Sequence, residues 1–317
     1  MLTLIKLFFN QKTNQAILFF LLLLLLLVGK RLYVRYFNPQ LTITFFDVGQ
    51  GDASLIQFPF GHTMLVDAGG GYQKWNIGHQ KIYPELSRLG ILSLDTMLMS
   101  HPDQDHVYGV LGLLEDLSIE QLWVHEDHVT QQKPILVDIL KLAHQKKVAI
   151  KQFKKIARGT LAGVSYIVFP LHPSSPLHSK TNNQALILHL QFGGCSILFT
   201  GDIEREGEAA LFKELERVDI PELTLLKVAH HGSHTSSHSF FLQKSHPIFS
   251  VISVGEHNPY HHPHKKAVER LKSFDSQVFR TDLHGFLRFT FSKAGRVKCQ
   301  SGLGDCGEYA CVRNDKS

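Results

Sequence analysis

Short apolar segments that end in polar, glycine-flanked motifs recur across residues 41–291, and this pattern constrains the fold more than any other feature. Three of these segments lead into SHPDQDH, TGD and AHHGS. Segments with the helical spacing of apolar residues separate the strands in both halves of this region. The pattern predicts an α/β fold in which two sheets pack face to face with helices outside, an αββα four-layer sandwich. Because rigid strands direct the side chains of their terminal loops to one place, we expect the chemistry at those strand ends.

The motif SHPDQDH contains four possible metal ligands within six residues, namely His101, Asp103, Asp105 and His106. Ligands two residues apart on an extended segment point the same way, so His101 and Asp103 can share one cation. Asp105 and His106 begin the next helix and can face a second cation about 3.5–4 Å away, the separation used for in-line hydrolysis. The carboxylates make Mn²⁺ as suitable as Zn²⁺. The alternative is a helix cap, in which Asp103 or Asp105 bonds backbone amides.

Two further strand ends carry candidate ligands. The strand CSILF leads to Asp202, whose carboxylate can bridge two cations or, alternatively, cap the helix that begins near Glu204. A later strand leads to the adjacent histidines His230 and His231. Adjacent side chains point to opposite sides, so one histidine can bind metal while the other acts as an acid or holds the loop.

The same loops offer candidate substrate contacts. Ser233 supplies a hydroxyl for phosphate oxygens, and Asn258 and Tyr260 precede the N-terminus of a helix, which attracts anions. His234 or His262 can stabilise a phosphate or protonate a leaving oxygen. For each of these loops the alternative is a solvated polar turn. The net charge of +5 suits a polyanionic partner or a membrane surface but requires neither.

The N-terminal region contains an uninterrupted apolar run, AILFFLLLLLLLVG, at residues 16–29. The run is shorter than the about 20 residues of a spanning helix, but the basic side chains that follow it can snorkel and extend it through residue 37. No small-residue cleavage site follows, so we expect a retained single-pass anchor over 16–37 after a short segment at 1–15. The flanking charges weakly favour a cytoplasmic C-terminal side.

Four cysteines lie at Cys195, Cys299, Cys306 and Cys311, and none forms a Cys-x-x-Cys zinc motif. Three of them fall in a glycine-rich tail, 293–317, that follows the predicted sandwich domain over 38–292. The sequence slightly favours a loose tail with free thiols. The alternative is a disulfide that pins the tail, which requires an oxidising compartment.

The order of the motifs is more specific than any one of them. Between residues 41 and 291 the chain carries, in this order, FFDVGQGDA, LVDAG, SHPDQDH, NNQALILHL, LFTGD, KVAHHGSHTS, SVGEHNPYHHP and RTDLHGFLRF. This series resembles the metallo-β-lactamase-like C-terminal domain of ComEC-type competence proteins, the inner-membrane DNA-uptake channels. The resemblance implies the αββα sandwich that the strand pattern also predicts.

The resemblance also implies a binuclear site with two divalent metal ions, Zn²⁺ or Mn²⁺, as cofactors. The segment from His101 to His106 would serve both metals, Asp202 would bridge them, and one histidine of the pair after the later strand would complete the set. Asp103 matches the aspartate that this family carries where the lactamases have their second histidine. Asn183 stands where superfamily hydrolases usually offer another histidine, and it is a weak substitute.

The family is thought to hydrolyse phosphodiesters in the DNA strand that is not imported. The expected function is therefore a membrane-anchored, metal-dependent phosphodiesterase or nuclease with DNA as its substrate. ComEC-type proteins carry many membrane helices before this domain and this sequence shows one, so a separate polytopic channel subunit is a further expected partner. The expected location is the inner membrane with the domain outside the cytoplasm, which follows the family role and the cysteines.

Two alternatives to this function remain at the level of sequence. One is a hydrolase of a small-molecule or cell-envelope phosphoester, which would need a closed pocket instead of a long groove. The other is a non-catalytic DNA-binding or assembly module in which the metal site is structural.

Overall fold

The computed structural model describes residues 11–72, 75–172 and 181–312. The chain divides into two units, 1–38 and 39–317. In the described part of the first unit, helix α1 spans Gln11–Phe37. No helix among the described residues has the length and apolar character that crossing a membrane requires. The expected anchor includes side chains at 30–32, 34 and 35 that lie outside the described residues, as do residues 1–10, and the anchor stays a prediction.

The second unit contains two large sheets and one small hairpin. The strands are, in chain order, β1 (Leu41–Phe45), β2 (Ser54–Gln57), β3 (Thr63–Val66), β4 (Gly71–Tyr72), β5 (Trp75–Asn76), β6 (Ser93–Leu98), β7 (Ser118–His125), β8 (Ala149–Phe153), β9 (Ala157–Leu161), β10 (Val164–Pro170), β11 (Leu186–Phe192), β12 (Cys195–Phe199), β13 (Leu225–Lys227), β14 (Phe249–Ile252), β15 (Gln277–Arg280), β16 (Leu287–Phe291), β17 (Arg296–Ser301) and β18 (Gly304–Ala310). One sheet has the spatial order β18-β17-β16-β1-β2-β3-β6-β7-β8, and the other has the order β15-β14-β13-β12-β11-β10-β9.

Helices cover the outer faces of both sheets. The helices of this unit are α2 (Tyr83–Arg88), α3 (Gln104–Asp116), α4 (Glu126–Thr130), α5 (Pro134–Gln145), α6 (Arg205–Arg217), α7 (Ser239–Ser245), α8 (Lys265–Ser273) and α9 (Thr281–His284). Helices α2, α3 and α5 share a buried apolar cluster with the nine-stranded sheet. Helices α6, α7 and α8 share another with the seven-stranded sheet. The predicted αββα order of layers is therefore present.

A third apolar cluster fills the space between the two sheets. Because successive side chains of a strand point to opposite faces, alternate residues of β1 enter this central layer. Phe45 of β1 lies 6.0 Å from Phe199 of the facing sheet, measured between ring centroids. Phe249 and Phe289 meet across the same layer at 5.6 Å. These contacts join the two sheets, so the loops at their strand ends are held in register.

The C-terminal segment belongs to the sandwich, and the expectation of a loose tail over 293–317 with free thiols is wrong. Strands β17 and β18 extend the nine-stranded sheet beyond β16. Val297 and Cys299 are fully buried in the central layer. The four cysteines form two disulfides, Cys195–Cys311 and Cys299–Cys306. Alternating apolar residues in RVKCQS explain the burial, because every second side chain faces the core. Residues 313–317 lie outside the described residues.

Candidate metal centre

Three strand ends meet at one edge of the sandwich and bring the predicted ligands together. His101 follows β6, Asp202 follows β12, and His231 follows β13, which is a parallel neighbour of β12. Parallel neighbours end at the same edge of a sheet, and this places Asp202 beside His231. The amide of Leu186 donates to the carbonyl of Ser100 at 2.8 Å and thereby ties the loop before His101 to the other sheet.

Asp202 lies at the centre of the cluster. Its Oδ2 is 3.3 Å from Nε2 of His106 and 3.4 Å from Nε2 of His231. Nε2 of His231 is also 3.2 Å from Oδ2 of Asp105. The ring centroids of His101 and His106 are 4.1 Å apart. Five side chains from three loops therefore direct their polar atoms at a common space.

Asp103 stands immediately before α3, yet its side chain makes no capping hydrogen bond. Its carboxylate lies 3.6 Å from Nε2 of His101 and 3.4 Å from Nζ of Lys133. The nearby ring of His101, together with Lys133, lowers the pKa of Asp103 to about 2 in spite of partial burial. The cap interpretation of this motif is therefore wrong for Asp103, whose carboxylate faces the ligand cluster.

Several ligand atoms are buried without a hydrogen-bond partner among the described residues, and this fits a divalent cation. They are Nε2 of His101, Nε2 of His106 and Oδ1 of Asp202. A buried polar atom left without a partner costs about 1–3 kcal/mol, so native proteins rarely keep one without a purpose. Histidine nitrogens and carboxylate oxygens are the donors that Zn²⁺ and Mn²⁺ accept. The residues present therefore suit the metals that the family resemblance implies.

The electrostatics of the cluster also favour positive charge. Burial alone lowers the pKa of His106, but the carboxylates of Asp202, Asp52 and Asp67 outweigh it and raise that pKa well above its ordinary value. Burial also lowers the pKa of His231, but the carboxylates of Asp202 and Asp52 outweigh it and raise that pKa to about 10. Burial would raise the pKa of Asp202, and the two histidines hold it well below its usual range. A divalent cation bound here would balance the same excess of carboxylate charge and would take the place of the histidine protons.

Two aspartates and a lysine behind the ligands were not among the residues predicted from the sequence. Asp67 accepts hydrogen bonds from the amide and hydroxyl of Ser100 at 2.8 and 2.7 Å, and its Oδ2 lies 2.9 Å from Nδ1 of His106. Asp52 forms a buried ion pair with Lys227. Oδ1 of Asp52 lies 3.6 Å from Nδ1 of His231, and Oδ2 of Asp52 lies 3.6 Å from Nδ1 of His106. Carboxylates behind metal-binding histidines fix the ring orientation and leave Nε2 facing the metal.

The signal for these residues was present in the sequence. Asp67 ends an apolar run in LVDAG, and Asp52 follows Gly51 in the glycine-containing motif FFDVGQGDA. Gly51 has φ of +131°, and any Cβ at this position would overlap the backbone carbonyl of Asp105. The glycine therefore allows the loop that carries Asp52 to lie against the start of α3. Lys227 gave no such signal, because its burial depends on the partner that the fold provides.

The two adjacent histidines take different positions. Nδ1 of His231 lies 2.8 Å from the carbonyl oxygen of Ser253, an arrangement that turns Nε2 towards Asp105 and Asp202. His230 is partly exposed, with Nδ1 3.5 Å from Oε1 of Glu204. Both residues have φ of +50°, a left-handed conformation that costs energy in residues other than glycine and is concentrated at functional sites. His231 is therefore the member of the pair that lies in the ligand cluster.

The loop that carries His262 lies beside His230. The ring centroids of His262 and His230 are 5.6 Å apart. Burial, together with the neighbouring histidines, lowers the pKa of His262 to about 4. Asn258 holds this loop instead of facing solvent: its Nδ2 donates to the carbonyls of Gly255 and His262, and its Oδ1 accepts from the amide of His262. Tyr260 is exposed and stacks on His262 with ring centroids 5.9 Å apart.

The remaining candidates have other partners. Ser233 is buried, and its hydroxyl lies 3.0 Å from the hydroxyl of Thr235. The ring centroids of His234 and His264 are 5.2 Å apart. The side chain of His234 lines a depression of about 340 Å³ that does not include the ligand cluster. Oδ1 of Asn183 accepts hydrogen bonds from the backbone amides of Glu204 and Gly207 at 2.8 and 3.1 Å. Asn183 thus caps α6, and the expectation that it takes the place of a histidine ligand is corrected, because its amide oxygen is already engaged.

Comparison with known proteins agrees with the fold and with the expected class of enzyme. The family model described as "Metallo-beta-lactamase superfamily" matches residues 46–272, more than half of the chain. The chain therefore belongs to this superfamily, which confirms the expected enzyme class, a metal-dependent hydrolase. Superfamily members bind divalent metals, often two, in agreement with the His/Asp clusters described above.

Within the superfamily, the chain is related to competence proteins, as the order of motifs predicts. It is 31% identical over 258 residues to ComE operon protein 3 of Bacillus subtilis (strain 168), covering 77% of this chain and 32% of the relative. It is 27% identical to Recombination protein 2 of Haemophilus influenzae, covering 82% and 30%, and 28% identical to Competence protein ComA of Neisseria gonorrhoeae, covering 82% and 34%. The chain thus spans about a third of the length of these relatives.

Solved structures share the fold at low sequence identity. The metallo-beta-lactamase fold protein YhfI from Bacillus subtilis superposes with a TM-score of 0.53 and 13% identity, covering 78% of this chain and 99% of that chain. CmlA, a diiron beta-hydroxylase from Streptomyces venezuelae, superposes with a TM-score of 0.55 and 13% identity, covering 80% and 54%. At this identity the likeness concerns the fold alone.

Proposed function

We propose that this domain is a binuclear metal-dependent phosphodiesterase that cleaves DNA in the course of its uptake. The observation that carries the proposal is the buried cluster in which Asp202 contacts both His106 and His231, with Asp105 and His101 at its sides. The names of the competence relatives support DNA as the substrate class. A carboxylate-rich ligand set suits Mn²⁺ as well as Zn²⁺.

The geometry suggests how the ligands would divide between two ions. Asp105, His106 and His231 lie within reach of one position. His101 and Asp103 would hold the other, and Asp202 would lie between them. When bound, the two cations would lower the pKa of an attacking water and neutralise charge on the phosphate.

The residues around this cluster position the ligands and the substrate. Asp67 holds His106 through Nδ1, and the carbonyl of Ser253 holds His231 in the same way, so both rings keep Nε2 directed at the cluster. His262 is neutral, and its Nδ1 is buried without a hydrogen-bond partner among the described residues. In the tautomer that carries its proton on Nε2, the neutral ring can donate a hydrogen bond to a phosphate oxygen or to the leaving oxygen. It is better placed than His234, whose ring faces His264.

Cleavage of DNA by the purified chain tests the proposal. With Mn²⁺ or Zn²⁺ added, the wild type should cleave a labelled oligonucleotide and contain two metal ions per chain by elemental analysis. Asp105→Asn should lose cleavage and part of the metal. The matched control is Asp138→Asn, an exposed position on α5, which should change neither. No cleavage by the metal-loaded wild type, or equal cleavage by Asp105→Asn, would contradict the proposal.

The location forms a second part of the proposal. Two disulfides support an oxidising compartment, because cytosolic thiols are kept reduced. We therefore place the domain on the outer face of the cytoplasmic membrane, held there by the N-terminal apolar run and working with a separate channel subunit. Lysis of cells in N-ethylmaleimide followed by mass spectrometry tests this location. Four unmodified cysteines are the expected result, and alkylated cysteines would contradict it.

A further inference from the structure

An exposed aromatic ring lies on the loop that carries His262, which is beside His230. The side chain of Tyr260 is 64% exposed. Its ring stacks on that of His262, with an interplanar angle of 21°. The two rings are therefore nearly parallel neighbours, and the ring of Tyr260 is open to solvent.

The ring is connected to the predicted ligands by a series of aromatic contacts. From Tyr260 the centroid distances are 5.9 Å to His262, then 5.6 Å from His262 to His230, and 6.4 Å from His230 to His231. His231 contacts Asp105 and Asp202 in the ligand cluster. The series therefore runs from solvent to the place where a scissile phosphate would lie.

The loop that presents Tyr260 is held firmly. Asn258 makes three hydrogen bonds with Gly255 and His262, of 2.9, 2.6 and 2.9 Å, and closes the loop around the tyrosine. The amide of His264 donates to the carbonyl of Gly232 at 2.8 Å and fastens the far end of the loop to the histidine-bearing segment. A ring presented on a rigid loop loses little conformational entropy when a flat partner stacks on it.

We propose that Tyr260 is a stacking platform for an unpaired nucleobase of the strand that is cleaved, and that the site therefore acts on single-stranded DNA. This inference rests on the proposed phosphodiesterase function. Aromatic side chains bind single strands in this way, because every base offers a π-face and stacking tolerates any sequence. In a duplex the base faces are covered by their neighbours, so stacking on Tyr260 requires an unpaired or splayed nucleotide.

The test compares ring-preserving and ring-removing variants. Binding is measured by fluorescence anisotropy on a labelled single-stranded oligonucleotide with phosphorothioate linkages, and cleavage is measured on the ordinary oligonucleotide with Mn²⁺. Tyr260→Ala should weaken binding and raise KM roughly tenfold, the effect of losing one stacked base, with little change in kcat. Tyr260→Phe should behave as the wild type. The control is Phe60→Ala, because Phe60 is also an exposed aromatic residue but lies in the turn between β2 and β3.

A strand made of abasic nucleotides separates stacking from other effects. On this strand the wild type and Tyr260→Ala should bind and cleave equally, because there is no base to stack. Equal loss on normal and abasic strands would overturn the inference, as would a loss in Tyr260→Phe as large as that in Tyr260→Ala, or wild-type behaviour of Tyr260→Ala. If the wild type cleaves no DNA, the phosphodiesterase proposal fails, while the anisotropy measurements still decide whether Tyr260 stacks on a base.

Discussion

The two disulfides should stabilise the fold to very different extents, and the difference can be calculated from their separations. Cys195–Cys311 closes a loop of 116 residues, whereas Cys299–Cys306 closes a loop of 7. In the chain-entropy description a cross-link removes unfolded-state entropy that grows with the logarithm of the loop length. At 25 °C this amounts to about 5 kcal/mol for the long loop and about 2 kcal/mol for the short one.

The structure makes the two pairs suitable for direct comparison. Cys195 and Cys299 are both fully buried, so replacement by alanine removes a similar buried sulfur from each pair. The long disulfide connects the start of β12 in one sheet with the residue that follows β18 in the other. The short disulfide connects β17 with its own neighbour β18, which backbone hydrogen bonds already hold together.

The assay is denaturant unfolding of two double variants, Cys195→Ala with Cys311→Ala and Cys299→Ala with Cys306→Ala, against the oxidised wild type. The first should lose about 2.5 kcal/mol more free energy of unfolding than the second. Reduction of each variant should then cost what its remaining disulfide contributes. Equal destabilisation of the two variants, or a larger loss from the short pair, would refute the reasoning.

Three further predictions follow from the site. Asp67→Asn should weaken metal binding about 10–100-fold, because it removes the carboxylate that orients His106, and excess Mn²⁺ in a titration should restore occupancy. Asn183→Ala should lower the free energy of unfolding by about 1 kcal/mol through loss of the α6 cap while the metal content stays unchanged; a lost metal ion would show that Asn183 is a ligand after all. In the metal-free chain, the stability that protonated His231 contributes is fully present below the ordinary pKa of 6.5 and is lost as the pH rises through the folded value of about 10. The thermal stability of the metal-free chain should therefore fall as the pH rises from 6.5 to 10. A melting temperature that stays constant over this range would contradict the arrangement around His231.

The correction at Asn183 shows how a local pattern can mislead. Its position between two strand motifs made it a substitute for a missing histidine, but its amide oxygen caps a helix that begins more than twenty residues later. The same motif order did identify the superfamily, since that order reflects the sequence of strand ends along the chain. A motif therefore reports which element a residue belongs to more reliably than which partner its side chain finds.

The sequence by itself determined the layers of the sandwich and the local part of the site. Alternation within strands and helical spacing between them predict αββα, because both depend on residues a few positions apart. The spacing within SHPDQDH places His101, Asp103, Asp105 and His106 at one strand end for the same reason. Asp202 closely follows a buried strand, but it was the order of motifs, and not this strand end alone, that made it a candidate ligand.

Tertiary structure alone decided the rest, since each of those outcomes depends on groups far apart in the chain. His231 lies in the cluster because the carbonyl of Ser253, 22 residues away, holds its ring, whereas His230 lies outside the cluster. Asp67 reaches His106 across 39 residues, and Lys227 is buried only because Asp52 is there to pair with it. The cysteines pair across as many as 116 residues. Sequence patterns carry information about near neighbours, whereas these contacts exist only after the two sheets have packed together.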